Sequence, residues 1–311
     1  MRGKGYAVES VCRVLRSMGC PIAARTYRAW KASKGPSDRD RSDAALIDAL
    51  LAVRGSPESL YGRRKMTAHL RRTGFDVAYC TVHRLMGDLG MSGVRRGRPV
   101  RTTIPAKDAV RAGDLLNRDF TADAPDTRWI ADFTYVPTPE GFVYVAFVVD
   151  CFAQRIVGWN AATRRPVDLV LAPVKAALAE RGRQGRPAAK GLVHHSDAGS
   201  QYTSIAFTEH LALEQMAPSV GSIGDAYDNA LMESVIGLYK AEAVANPSLF
   251  RAGPLRGLPD VEKLTAAWAW WWNNKRLHST LANRTPAETE TAYHETHDPT
   301  GPTKTGPAMN P

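Results

Sequence analysis

Between residues 129 and 160 three β-rich runs follow one another, "WIADFTYV", "FVYVAFVVD" and "FAQRIVGWN", separated by short turns. Aromatic and β-branched residues fit a pleated, half-buried surface, so this segment must form the centre of a sheet. The first run breaks its own pattern. Trp129, Ala131, Phe133 and Tyr135 alternate on one face, and Asp132 shares the other with Ile130, Thr134 and Val136. An unpaired carboxylate inside a core costs roughly several kcal/mol or takes up a proton. Asp132 is therefore either a strand-end residue bonded to backbone or a ligand to a cation whose other ligands lie elsewhere.

After the three runs come a helical stretch from about Pro166 to Arg181, the loop "GRQGRPAAKG" and a short strand, "LVHHSD". Three antiparallel strands, a helix and further strand–helix units give the order of an α/β ribonuclease-H-like layer fold, an order that other α/β sheets share. The region ahead of the sheet reads as all-α. Val8, Val11, Cys12 and Leu15 mark one helix face, and Pro21 opens a second helix, "PIAARTYRAWKAS". The charged "KGPSDRDRSD" reads as a linker. Further on, "YGRRKMTAHLRRTG" and the face Val82, Leu85, Met86 and Leu89 give two helices about a turn at Gly74. The expected domains are a helix-turn-helix-like segment at 1–35, a second at 43–93, a basic linker at 94–125, the α/β core at 126–290 and a disordered tail at 291–311.

Charge separates these parts. Residues 1–111 hold 23 Lys and Arg against 9 Asp and Glu, while the remaining 200 hold 18 against 22, so the first third carries +14 and the rest −4 of the net +10. Phosphate neutralisation drives nucleic-acid affinity, so this front end is expected to bind DNA. In the helical pair Arg63, Arg64, Lys65, Arg71 and Arg72 can reach phosphates, and Tyr79, His83 and Arg84 lie on the open faces of the second helix. An ordinary hairpin with a solvated charged face has the same periodicity; the charge excess favours DNA. The four cysteines are scattered, with neither zinc nor disulfide spacing. No run of about 18 apolar residues and no secretory leader is visible, so a cytoplasmic location without membrane association is the expectation.

Two further acids stand out. Asp197 in "HHSDAGSQYTS" sits where a strand ends, and Glu233 in "GDAYDNALMESVIGLYKAE" lies on a helix that Asp228 and Asn229 can cap, with 35 residues between the two acids. Lys240 follows Glu233 by two helical turns on the same stripe. Together with "YGRRKMTAHLRRTG", "VHRLMGDLGMSG", "LLNRDF" and "WWNNKRLHSTLANRTPAE", these flanks resemble the bacterial insertion-sequence transposases of the IS-three family, in particular their second-frame (OrfB) product with its integrase-like DDE core. Ala198 stands where many relatives have Arg, and Ala78 where a capping Ser is usual.

The resemblance implies a metal-dependent transposase that cleaves at element ends and joins the exposed 3′ hydroxyl to another phosphodiester, through figure-eight and circle intermediates. Asp132, Asp197 and Glu233 are then the catalytic acids and ligands to two Mg²⁺ or Mn²⁺ ions. The chemistry asks for such groups: hard cations prefer carboxylate oxygen, and paired ions suit in-line displacement at phosphorus. Implied partners are terminal inverted repeats, target DNA, further copies of the chain on DNA and an upstream-frame (OrfA) product, separate or fused by frameshifting. Rival readings are a catalytically inactive DNA-binding regulator and a plain ribonuclease-H-like nuclease. His194 and His195 lack partners at zinc spacing, and His195 is expected to steady the acid loop. Trp268, Trp270, Trp271 and Trp272 read as core, whereas Arg276 and His278 just beyond are assigned to DNA.

Overall fold

The computed structural model describes residues 6–32, 35–95, 114–116, 119–188, 190–197, 201–202, 204–221, 229–245, 249–251 and 253–297. The chain divides into two compact units, Met1–Ala52 and Val53–Pro311.

The first unit holds three helices, α1 (Val8–Ser17), α2 (Ala24–Ala32) and α3 (Asp38–Ala52). Helix α1 buries Val8 and Cys12, an i, i+4 pair from the expected face, and Glu9 on α1 pairs with Arg28 on α2. The expected linker is instead the start of α3. Ser37 and Asp40 cap one another reciprocally: the Asp40 carboxylate accepts from the Ser37 amide at 2.9 Å, and the Ser37 hydroxyl accepts from the Asp40 amide at 3.2 Å. Such a box satisfies two of the free amides at a helix start, and it turns a charged stretch into a helix N-terminus.

In the second unit α4 (Arg63–Arg72) and α5 (Tyr79–Asp88) pack through Met66, Leu70, Val82, Leu85 and Met86. The turn between them needs Gly74, whose φ of +97° lies in the left-handed region. Ala78 stands at the start of α5 and supplies no side-chain cap.

The sheet follows: β1 (Arg128–Thr138), β2 (Gly141–Asp150), β3 (Arg155–Ala162), β4 (Val193–Ser196) and β5 (Ala217–Val220), ordered β3-β2-β1-β4-β5. The first three strands pair antiparallel; β4 and β5 join parallel to β1. Helix α6 (Val167–Arg183) crosses between β3 and β4, and α7 (Ile205–Leu213) between β4 and β5. Helix α8 (Ala230–Tyr239) runs into a π turn, Lys240–Val244, and α9 (Leu258–Asn274) and α10 (Pro286–His297) close the described chain. Five strands in a mixed sheet with helices around it meet the ribonuclease-H-like expectation.

Register sorts the two faces. Trp129, Ala131, Ala146 and Val148 pack with Leu169, Val170 and Val174 of α6 and with Phe207 and Leu211 of α7. The close approach of α6 rests on Gly158 of β3, where a Cβ would lie 2.2 Å from the Pro173 carbonyl oxygen. Asp132 stands opposite Phe147 on the other face, where Phe147 meets Tyr239 at 5.1 Å and Trp268 at 5.9 Å between ring centres. Trp268, Trp271 and Trp272 are buried, and Trp270 alone of the four faces solvent.

Two expected boundaries move. The tail expected from residue 291 is helical to His297, with Glu290 of α10 buried against Arg155 and Arg181. The 94–125 linker lies mostly outside the described residues, but its end is part of the core: Leu116 is buried, and the Leu115 amide donates to Ser219 of β5 at 2.9 Å.

A buried charge cluster also ties β2 to the start of β1. Asp150 accepts from the Asp126 and Ala153 amides, and burial, then the neighbouring Asp126 charge, push its carboxyl up to about 7. The folded state therefore holds a proton there that the unfolded chain releases near pH 4. Stability from this group is greatest in acid and falls as pH rises towards about 7, by at most ~1.4 kcal/mol per pH unit, and levels off above. Urea titrations at about pH 5.5 and 7.5 should show this loss in the wild type and a smaller one in Asp150→Asn.

Candidate active site

The parallel ladder between β1 and β4 sets the first two acids side by side. Ile130 pairs with His195 and Ala131 with Ser196, so Asp132 and Asp197 are the next residues of the two chains where this ladder stops, Asp132 within β1 and Asp197 just past the end of β4. β1 runs on to Thr138 after β4 has ended at Ser196, so past Ala131 its β4 side carries no ladder and the two acids meet at that step in the sheet. Below Asp197, His195 is buried and its Nδ1 lies 2.8 Å from the Ser219 hydroxyl on β5, which fixes the strand before the acid. His194 is buried too, and burial lowers it to about 3, so it is neutral.

Glu233 comes from the first turn of α8 and is exposed at the rim. Asn229, expected as a cap, makes no side-chain capping bond; its amide instead donates to the Ala131 carbonyl at 3.5 Å, pinning the start of α8 beside Asp132. The Asp132 carboxylate accepts from the Phe133 amide at 2.7 Å. Its pKa is raised well above the usual range by burial first, then by the negative charges of Asp197 and Glu233, with Phe133 and Lys240 pulling the other way. The same two aspartates, after burial, raise the Tyr202 phenol. Among the described residues no three His, Cys, Asp or Glu side chains are gathered tightly around one point, so the acids converge without closing a cage. In kind they suit a hard divalent cation, being oxygen donors whose mutual repulsion a positive charge relieves.

Lys240 begins the π turn. Its ammonium lies 5.0 Å from the centre of the Tyr135 ring, and burial lowers its pKa while the Asp132 charge opposes that. A basic group thus reaches the acids from beyond the end of α8.

The helical pair carries most of the remaining expected DNA contacts. Arg63, Arg64, Arg71, Arg72, Tyr79, His83 and Arg84 are exposed, and Lys65 is half-buried. Several are already engaged: Arg63 lies 5.6 Å from the Tyr79 ring centre and 3.1 Å from His83, Arg71 donates to the Val77 carbonyl, Arg72 pairs with Glu288, and Arg84 is 3.5 Å from Asp88. Arg276 and His278 correct the sequence reading. Both are 3% exposed: Arg276 forms a two-pronged ion pair with Glu242, and His278, driven well below its usual pKa chiefly by burial, sits 3.3 Å from the Trp272 carbonyl. Neither can present itself to DNA.

Sequence reasoning missed Tyr61, which docks the helical pair on the core. Its hydroxyl accepts from the Leu277 amide at 3.0 Å, its ring stacks on Trp271, and the Trp271 indole donates to Glu58. Only the aromatic character of Tyr61, just ahead of α4, hinted at burial.

Residues 122–226 and 214–286 match two families described as integrase core domains, and residues 38–99 match an HTH-like domain family. Over 275 residues the chain is 43% identical to a Mycobacterium tuberculosis protein named as a transposase for insertion sequence element IS986/IS6110, covering 88% of this chain and 96% of the relative. It is also 43% identical over 293 residues to the Shigella sonnei transposase for insertion sequence element IS629, 93% of each chain. Among solved structures, the HTLV-2 integrase catalytic core domain in complex with magnesium is a distant likeness, with 17% identity, 54% of this chain and 98% of that one covered, and a TM-score of 0.40. Among the described residues no helix is long and apolar enough to cross a membrane. With an HTH-like domain ahead of an integrase core and near full-length identity to such relatives, the chain belongs to the IS-three family of insertion-sequence transposases.

Proposed function

We propose that this chain cuts DNA at the ends of its element and joins the exposed 3′ hydroxyl to a second phosphodiester, with Asp132, Asp197 and Glu233 as the catalytic acids. One observation carries the reading: Asp132 and Asp197 stand next to each other where the β1–β4 ladder stops, and the negative charges of Asp197 and Glu233 both act on the buried Asp132 carboxyl. A fold does not retain such repulsion for stability, since apolar side chains would fill the site at lower cost.

Asp132, Asp197 and Glu233 would hold two divalent ions, which when bound supply Lewis-acid stabilisation of the attacking and leaving oxygens. The rest is the protein's own work. The Asn229 amide, 3.5 Å from the Ala131 carbonyl, helps seat the start of α8, which carries Glu233, beside the strand that carries Asp132. Lys240 offers a charged donor to a DNA phosphate next to the acids. Arg63, Arg64, Lys65, Arg71, Arg72, Tyr79, His83 and Arg84 hold the duplex from the helical pair. Joining two ends in one event needs two active sites, which requires further copies of the chain on DNA; an upstream-frame product can supply additional pairing contacts.

Mg²⁺ or Mn²⁺ should support cleavage and joining, whereas Ca²⁺, with its looser coordination, should support end binding with little chemistry. Full joining activity in the presence of a chelator would contradict the metal assignment. End binding should weaken linearly in a log–log plot against salt, with a slope of roughly −0.9 per neutralised phosphate. Arg64→Ala is expected to reduce that slope by about one without changing sequence preference. A salt-insensitive complex would remove the helical pair from the DNA interface.

A further inference from the structure

The Glu242–Arg276 ion pair is buried on both sides, each side chain 4% exposed. Arg276 Nη2 reaches Glu242 Oε1 at 2.6 Å and Nε reaches Oε2 at 3.0 Å, while the Trp268 indole N–H donates to Oε2 at 3.2 Å. The guanidinium also lies over the Trp272 ring, 4.6 Å from its centre. Arg276 is thus held flat on an aromatic face with its fork aimed at one carboxylate, a geometry that Lys cannot reproduce.

Glu242 lies in the middle of the π turn Lys240–Val244. A π turn is a rare and poorly favoured continuation of an α-helix and persists where something holds it. Here the hold comes from outside: α9 supplies Trp268, and the segment just after it supplies Arg276. The first residue of the same turn is Lys240, whose ammonium lies 5.0 Å from the centre of the Tyr135 ring of β1 and within reach of the Asp132 charge. Beyond Ala131 the ladder between β1 and β4 has ended, so this stretch of β1 is open on that side to a side chain arriving from α8. A buried ion pair is a weak way to stabilise a fold compared with apolar residues of similar volume, and it is better suited to fixing one geometry.

We propose that Glu242 and Arg276 are positioning residues for strand transfer: clamped by Trp268 and Trp272, the pair keeps the π turn wound so that the Lys240 ammonium stays at the acid cluster. The inference rests on the reading of Asp132, Asp197, Glu233 and Lys240 given above and adds residues that touch neither DNA nor metal. Lys240 itself continues α8, its amide bonded to the Ile236 and Gly237 carbonyls, so without the clamp the carboxyl end of α8 loses its anchor and Lys240 can swing from Asp132 while the three acids stay in place.

The test is a double-mutant cycle in the full chain, with duplexes carrying its own element ends and Mg²⁺. Lys240→Ala should lower joining about tenfold to a hundredfold, the worth of one charge-assisted hydrogen bond. Glu242→Gln should lower it by nearly as much, mainly in kcat, and should cause little further loss in the Lys240→Ala background. A second readout needs neither metal nor DNA: labelling of Lys240 by an amine-reactive ester, read by mass spectrometry, should be several-fold faster in Glu242→Gln than in wild type. Trp268→Phe, which removes the indole donor together with part of the ring packed on Tyr239 and Trp272, should move both readouts in the same direction and serves where Glu242→Gln fails to fold. Additive losses, or unchanged Lys240 labelling in a folded variant, would overturn the positioning role alone. Joining unaffected by Lys240→Ala would overturn it together with the role given to Lys240.

Discussion

Asp132→Asn, Asp197→Asn and Glu233→Gln are each expected to lower strand joining by at least about a thousandfold, or ~4 kcal/mol in transition-state stabilisation, while end binding survives. Each swap keeps size and removes one acidic group from a set that already repels itself where the pairing of β1 with β4 stops. Binding is expected to be spared because the proposed hold on the duplex comes from the basic residues of α4 and α5, and loss of negative charge beside phosphates favours it. Gel-shift and joining assays on the same preparations check both halves. An acid whose replacement leaves joining near wild type would be structural, with the strand-end explanation of Asp132 restored if all three behaved so.

The second large effect concerns the face of the sheet that carries Asp132. Trp268→Ala should cost about 3–5 kcal/mol in a urea or guanidinium titration. The indole is fully buried, its ring centre lies 4.9 Å from that of Trp272 and 5.1 Å from that of Tyr239, and its N–H satisfies Glu242. Truncation opens a cavity between α8 and α9 and leaves a buried carboxylate short of a donor. Trp270→Ala, two residues on and 58% exposed, should change stability by no more than about 0.5 kcal/mol. Equal losses at the two positions would mean that α9 is not seated on the sheet as described.

The features legible in the sequence were those that a local pattern carries. Period-two alternation marked β1 and its faces, i, i+3, i+4 spacing marked α5, and the flanks of Asp132, Asp197 and Glu233 marked the acids. Contacts between distant residues of opposite kind were not legible. Arg276 read as a DNA contact because a free Arg after an aromatic helix looks like one; only the fold reveals Glu242, 34 residues earlier, waiting for it in the core. The second half of α10, from residue 291, reads as tail because the buried positions of the helix, Pro286 and Glu290, form no apolar stripe that would carry the helix onward. The start of α3 was hidden by its charge, although the Ser37–Asp40 box was present to be read.

The central claim is that this site transfers a DNA strand to another phosphodiester and does not merely hydrolyse one. Incubation of the full chain with labelled duplexes ending in its own element termini, with Mg²⁺ and a second DNA, followed by denaturing gel analysis, tests it most directly. The expected products are labelled strands longer than the substrate, in which the element's 3′ end is covalently joined to the second DNA, absent from Asp132→Asn. Labelled strands only at or below substrate length, under conditions in which the ends are bound and cut, would contradict it and identify a nuclease.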